Sequence, residues 1–167
     1  MCSFQQKYLR RLPGALLGGC LLLATAACSH TITTPDGKVT IKDKGKDSGT
    51  ITVTGKDGQK ATVSYNENKI PDDYPKDVPV YSAKVVMAQT FSEKHARNLV
   101  MESGDGVDKI SDFYKKGFEG GGWKTESTMT TDKLTMITFS QENRQVLVQI
   151  SDGGDKRSIM QVLTDKQ

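Results

Sequence analysis

Only one stretch of this chain, Ser103 to Gly122, repeats its apolar residues at the spacing of a helix, while the segments on either side repeat them at every second position. Val107, Ile110, Phe113, Tyr114 and Phe118 fall on one helical face. Asp105 and Asp108 stand at the start, with Asp105 as the natural cap, and Lys115 and Lys116 stand near the end, an order that suits the helix dipole. Gly120-Gly121-Gly122 stops the helix. The fold class that follows is α+β: an antiparallel β-sheet with one packed helix, preceded by a short β-hairpin meander.

The strands are read from alternation and from the turns between them. Val80 to Thr90 and His95 to Glu102 precede the helix, and runs at about 123–130, 133–140, 144–151 and 157–164 follow it. Asp132-Lys133, Glu142-Asn143 and Asp152-Gly153-Gly154-Asp155 supply the tight turns of that second run. Earlier in the chain, Thr31-Ile32-Thr33, Lys38 to Ile41, Thr50 to Thr54 and Ala61 to Tyr65 alternate hydroxyl or charged side chains with Ile, Val and Ala. Asp36-Gly37 and Asp57-Gly58 are hairpin signals, because both residue types tolerate positive φ. Two copies of one hairpin unit are expected here, with too little apolar surface to form a core of their own. Between meander and sheet, Pro71, Pro75 and Pro79 recur every fourth residue, which blocks helix and forces an extended strap that Tyr74 and Val78 pin down. The divisions are therefore 1–27, 28–65, 66–79 and 80–167: leader, meander or spacer, Pro-rich strap, and an α+β domain of strand, strand, helix and four strands.

The first 27 residues read as a secretory leader. Lys7, Arg10 and Arg11 precede an apolar block running from Leu12 to Leu23, and the block closes on Ala24-Thr25-Ala26-Ala27-Cys28. Leu12 to Ala27 is 16 residues, fewer than the roughly 20 a spanning helix needs. Cys28 is the expected lipid acceptor. Thr25 stands where Leu, Val or Ile is usual, and Leu17-Gly18-Gly19-Cys20 fits the short pattern better. Cys20, however, has only eight apolar residues before it and would leave Leu21-Leu22-Leu23 exposed.

Cleavage before Cys28 has chemical consequences. Cys2 and Cys20 leave with the leader and Cys28 is consumed by lipid, so the mature chain has no free thiol and no disulfide. The leader holds three of the 23 Lys and Arg residues and none of the 20 Asp and Glu residues, so the mature chain is neutral. That gives no support to a nucleic-acid partner. Attachment to the membrane must come from acyl chains, palmitate among them, at roughly 0.8 kcal/mol per buried methylene.

The leader resembles those of bacterial lipoproteins. Beyond it, Pro75-Lys76-Asp77-Val78-Pro79-Val80-Tyr81, Ala83-Lys84-Val85-Val86, Asp112-Phe113-Tyr114-Lys115-Lys116 and Gly122-Trp123-Lys124 resemble a group of small bacterial lipoproteins. The resemblance spans residues 70–124 and the Asp-Gly hairpins before them, with Ser82 and Ala83 where Pro and Gly are commoner. It implies an architecture and a cell-envelope location, and it transfers no catalytic residue. In a cell with two membranes, Ser29 after the acceptor is similar to the outer-membrane sorting pattern, facing the periplasm.

No catalytic set, cofactor motif or metal site converges in the sequence. His30 lies beside the anchor and His95 at a strand start, neither with a second ligand in view. Asp47-Ser48-Gly49 matches a protease nucleophile tripeptide, without the partners such an enzyme needs. The expectation is a non-enzymatic envelope lipoprotein, held to the membrane by its N-terminal lipid, whose sheet face or meander binds another envelope protein or the cell-wall polymer. Two alternatives stand beside it. One is a small apolar-ligand carrier with a groove at Phe113, Tyr114, Phe118 and Trp123. The other is an envelope hydrolase using Asp105 and Asp108 or Asp152 and Asp155.

Overall fold

A computed structural model describes residues 29–45, 47–93 and 95–165. The expected leader and its expected lipid acceptor, Cys28, lie outside the described residues. Ten strands and one helix follow in order among those residues: β1 (Ser29–Thr34), β2 (Gly37–Gly45), β3 (Ser48–Gly55), β4 (Lys60–Tyr65), β5 (Lys84–Phe91), β6 (Ala96–Ser103), α1 (Val107–Gly120), β7 (Lys124–Thr130), β8 (Leu134–Gln141), β9 (Arg144–Asp152) and β10 (Arg157–Asp165). All ten strands form one antiparallel sheet in the order β1-β2-β3-β4-β5-β6-β10-β9-β8-β7. The broad α+β reading stands, with the sheet dominant. The meander does not precede the sheet as a separate unit: β4 pairs with β5 from Ala61↔Phe91 to Tyr65↔Met87, so β1–β4 form a wing of the same sheet.

The helix is the bridge that makes this order possible. β6 and β7 run in the same direction and are separated by β10, β9 and β8, so the chain must cross the sheet between them. A 14-residue helix is about 21 Å long, enough to span four strand spacings of about 19 Å in all. Its end is a Schellman motif. The Trp123 N–H donates to the Phe118 carbonyl at 2.9 Å and the Gly122 N–H to the Glu119 carbonyl at 3.0 Å. Gly122 sits at φ +78°, a left-handed conformation that favours glycine there. The accompanying apolar contact is Phe118 against Trp123, ring centroids 5.2 Å apart.

Two details of the helix depart from the sequence reading. Its N-cap is Gly106, with no side-chain cap hydrogen bond, and Asp105 is drawn aside to Tyr81 and Lys109. Lys115 and Lys116 fall short of the last turn, which has no basic residue, because the helix runs on to Gly120.

One face of the sheet holds the core. Register aligns Ala88, Leu99, Gln161, Val148 and Ile137 across five strands, flanked by Met101, Ile159 and Ile150 on one side and Leu163, Val146 and Phe139 on the other. Ile110, Tyr114 and Phe118 of α1 cover this face together with Tyr74, Val78 and Tyr81 of the strap. Strand β5 begins at Lys84 and not at Val80, because residues 80–83 still belong to the strap. There Tyr81 is buried, and its N–H is directed to the Tyr114 hydroxyl at 3.4 Å in place of a strand partner.

The polar centre of this core fixes the strap. Gln161 is fully buried; its Oε1 accepts from the Tyr114 hydroxyl at 2.9 Å, and its Nε2 donates to the Tyr74 hydroxyl and the Pro79 carbonyl, each at 2.9 Å. Burial pushes the Tyr74 and Tyr114 phenols up, so both keep their protons. Gln161→Leu is expected to cost about 2–4 kcal/mol, since it leaves buried polar groups without partners. Urea unfolding of Gln161→Leu, and of the same change combined with Tyr114→Phe, checks this; the double variant should recover part of the loss. A single-variant cost below about 0.5 kcal/mol would contradict a structural role for the network.

Candidate functional site

The wing and the strap enclose a polar trough on the helix side of the sheet. Alternation in β3 and β4 turns Thr50, Thr62 and Ser64 to this side, and register carries the floor onto Ala88 and Thr90 of β5. Ile70, Pro71, Asp72 and Asp73 of the strap form one wall, and the hollow measures about 510 Å³. The strap stands off here because its apolar anchors, Tyr74 and Val78, come later and pack nearer α1. Where the wall ends, Asp73 lies 3.9 Å from Arg97 and Asp77 lies 2.7 Å from Arg144. The Arg144 guanidinium also lies over the Trp123 ring, 4.8 Å from its centroid.

Charge in the trough is organised around Glu67. Its carboxylate accepts from the Thr50 hydroxyl at 2.6 Å and from Lys44 Nζ at 2.9 Å. Partial burial raises the affinity of this carboxyl for a proton, but those two hydrogen bonds outweigh it and hold the group below the usual carboxylate range. Lys69 pairs with Asp72 at 2.9 Å on the rim. The hydroxyls of Thr62 and Thr90, by contrast, make no hydrogen bond among the described residues. They continue a cross-strand row, Thr31↔Thr40↔Thr52↔Thr62↔Thr90, that runs from the wing edge into the trough. Five adjacent strands carry it over about 19 Å. Such a row offers donors and acceptors at a regular spacing.

The aromatic residues anticipated as a groove are packed against one another. Tyr114 and Phe118 are fully buried and Trp123 is 3 % exposed. Phe118 stacks on Phe139 with centroids 4.1 Å apart, and Tyr114 lies 6.1 Å from Phe118. Phe113 is more open and meets Tyr81 edge-on at 5.1 Å.

The candidate carboxylates serve local structure. Asp105 accepts from the Tyr81 hydroxyl at 2.6 Å and from Lys109 at 2.7 Å, which holds it below its usual range. Asp108 is exposed in the first turn of α1. Asp152 accepts from the Gly154 N–H at 2.9 Å and lies 3.3 Å from Arg157, closing the β9–β10 turn, while Asp155 is exposed in that turn. His30 is exposed on β1 and His95 occupies a left-handed turn position before β6. Among the described residues no group of three His, Cys, Asp or Glu side chains is placed to hold a metal ion, and no helix is long and apolar enough to cross a membrane.

The trough residues were open to sequence reading in part. Thr50, Thr52 and Thr54 alternate with Ile51 and Val53, which shows a hydroxyl face, but the partner strands and the strap wall come only from long-range pairing.

A family model described as START domain-like matches residues 85–158. The match runs from β5 through α1 into the start of β10, so it covers the helix-bearing part of the sheet and leaves out the wing and the strap. No curated protein matches the chain, and no solved structure does.

Proposed function

We propose that this chain is a lipid-anchored, non-enzymatic binding module of the bacterial cell envelope, and that its trough and threonine row take a segment of the cell-wall polymer. The observation that carries the choice of ligand is the pair Thr62 and Thr90, whose hydroxyls have no hydrogen-bond partner among the described residues, at the inner end of a hydroxyl row five strands long. A glycan-rich polymer is extended, hydroxyl-bearing and poor in apolar surface, which suits a floor of Thr and Ser with an ionised acceptor, Glu67, and ammonium groups at its edge. The START domain-like match is in keeping with a ligand-binding module.

That match also favours a second reading, a carrier of a small apolar ligand. The filled contacts among Tyr114, Phe118, Trp123 and Phe139 weigh against a ligand between α1 and the sheet.

Co-sedimentation of the detergent-solubilised full chain with purified cell-wall polymer tests the leading reading. Thr62→Val with Thr90→Val keeps shape and removes two hydroxyls, each worth about 0.5–1.5 kcal/mol when hydrogen-bonded, so retention should fall roughly ten-fold. Absence of retention by the parent chain, with a pull-down from solubilised envelopes recovering no reproducible partner, would count against the proposal.

A further inference from the structure

The face of the sheet opposite α1 has no covering layer among the described residues. Register places Ile41, Ile51, Val63, Val100, Val162 and Met87 on it, and the exposed Ile32 and Val53 belong to the same surface. Over β1–β6 and β10 the charged strand residues facing this way are Asp43, Lys84 and Glu102, all toward one end of the strands. Sheet-bearing domains bury such faces against a second layer, and a contiguous apolar surface of this extent marks an interaction site.

We infer that this face packs against the same face of a second copy of the chain, forming a two-sheet sandwich about a two-fold axis. Two observations favour this occupant. Seven strands of about seven residues cover about 33 Å by 23 Å, close to the roughly 800 Å² per partner of a stable interface. The centre of the face also carries neither sign of charge, so nothing selects an oppositely charged partner, and an apolar surface is complementary to itself. On the same face a hollow of about 290 Å³ is floored by Val53, Ala61 and Phe91, a recess that a side chain of the facing copy can enter. Twisted sheets stack in this way with strands crossing at about 30°. The inference does not depend on what the trough binds.

Sedimentation equilibrium of the full chain in density-matched detergent should give twice the protein mass at micromolar concentration. Ile51→Asp, on this face, should weaken the dimer at least ten-fold, and Thr52→Asp, its neighbour on the opposite face, should leave it intact. A photo-crosslinker at Val63, in otherwise unaltered protein, should yield a homodimer joined through β2–β6 peptides, a result that stands even if Ile51→Asp fails to fold. A monomeric parent, a dimer broken by Thr52→Asp alone, or crosslinks to lipid or to a different protein would overturn the inference.

Discussion

Phe118→Ala is expected to remove about 3–5 kcal/mol of stability, the range for deleting a buried ring whose surroundings cannot collapse. Phe118 is fully buried, stacked on Phe139 with an angle of 18° between rings, and flanked by Tyr114 and Trp123. It also accepts, through its carbonyl, the hydrogen bond that turns the chain from α1 toward β7, so the helix end and the crossover meet at this residue. A domain of this size has about 5–15 kcal/mol in total, so the variant should sit close to unfolding. Urea titration followed by Trp123 fluorescence reads the midpoint directly. Phe113→Ala supplies the contrast: Phe113 is 38 % exposed and makes edge contacts with Tyr81 and Tyr114, so its loss should cost about 1 kcal/mol. Near-equal costs for the two would mean that the aromatic cluster lines an open space instead of filling one.

The parts of this fold legible in the sequence are those set by local chemistry. Helix α1 announces itself through the spacing of Ile110, Tyr114 and Phe118 and stops at a glycine that the left-handed position requires. The strands after it lie within a few residues of where alternation and the Asp, Asn and Gly turns put them. Long-range pairing was beyond reach. Nothing local in Ala61 to Tyr65 says that β4 continues into β5, so the wing reads as a separate spacer when its apolar face is counted alone. The strap misled in a similar way, because Val80 and Tyr81 look like the start of a strand. What removes them is the distant Tyr114 hydroxyl, toward which the Tyr81 N–H points. Asp105 looks like a cap for the same reason: its rival partner, Tyr81, is 24 residues away in sequence. Of the trough only the hydroxyl floor is legible, since its wall is the strap, which is held to the sheet by a distant contact between Tyr74 and Gln161 of β10.

The lipid anchor is the central element of the proposed function, and its test gives an all-or-none result. Lipid transfer needs a thiolate nucleophile, which a serine hydroxyl cannot replace near neutral pH. Cys28→Ser should therefore abolish incorporation of labelled palmitate and leave the chain as an uncleaved precursor, or release it if another peptidase cuts after Ala27. Cys20→Ser alters only the apolar block of the proposed leader and should be labelled and processed like the parent. Under the proposal that cleavage falls before Cys28, the remaining chain is neutral and has no cationic surplus to hold it to an anionic bilayer without acyl chains. Metabolic palmitate labelling, read together with the mass of the mature N-terminal peptide, is the direct measurement. The account predicts a lipid-modified N-terminus at Cys28 and no label in Cys28→Ser; label that survives in Cys28→Ser and disappears in Cys20→Ser would contradict it and move the anchor eight residues upstream.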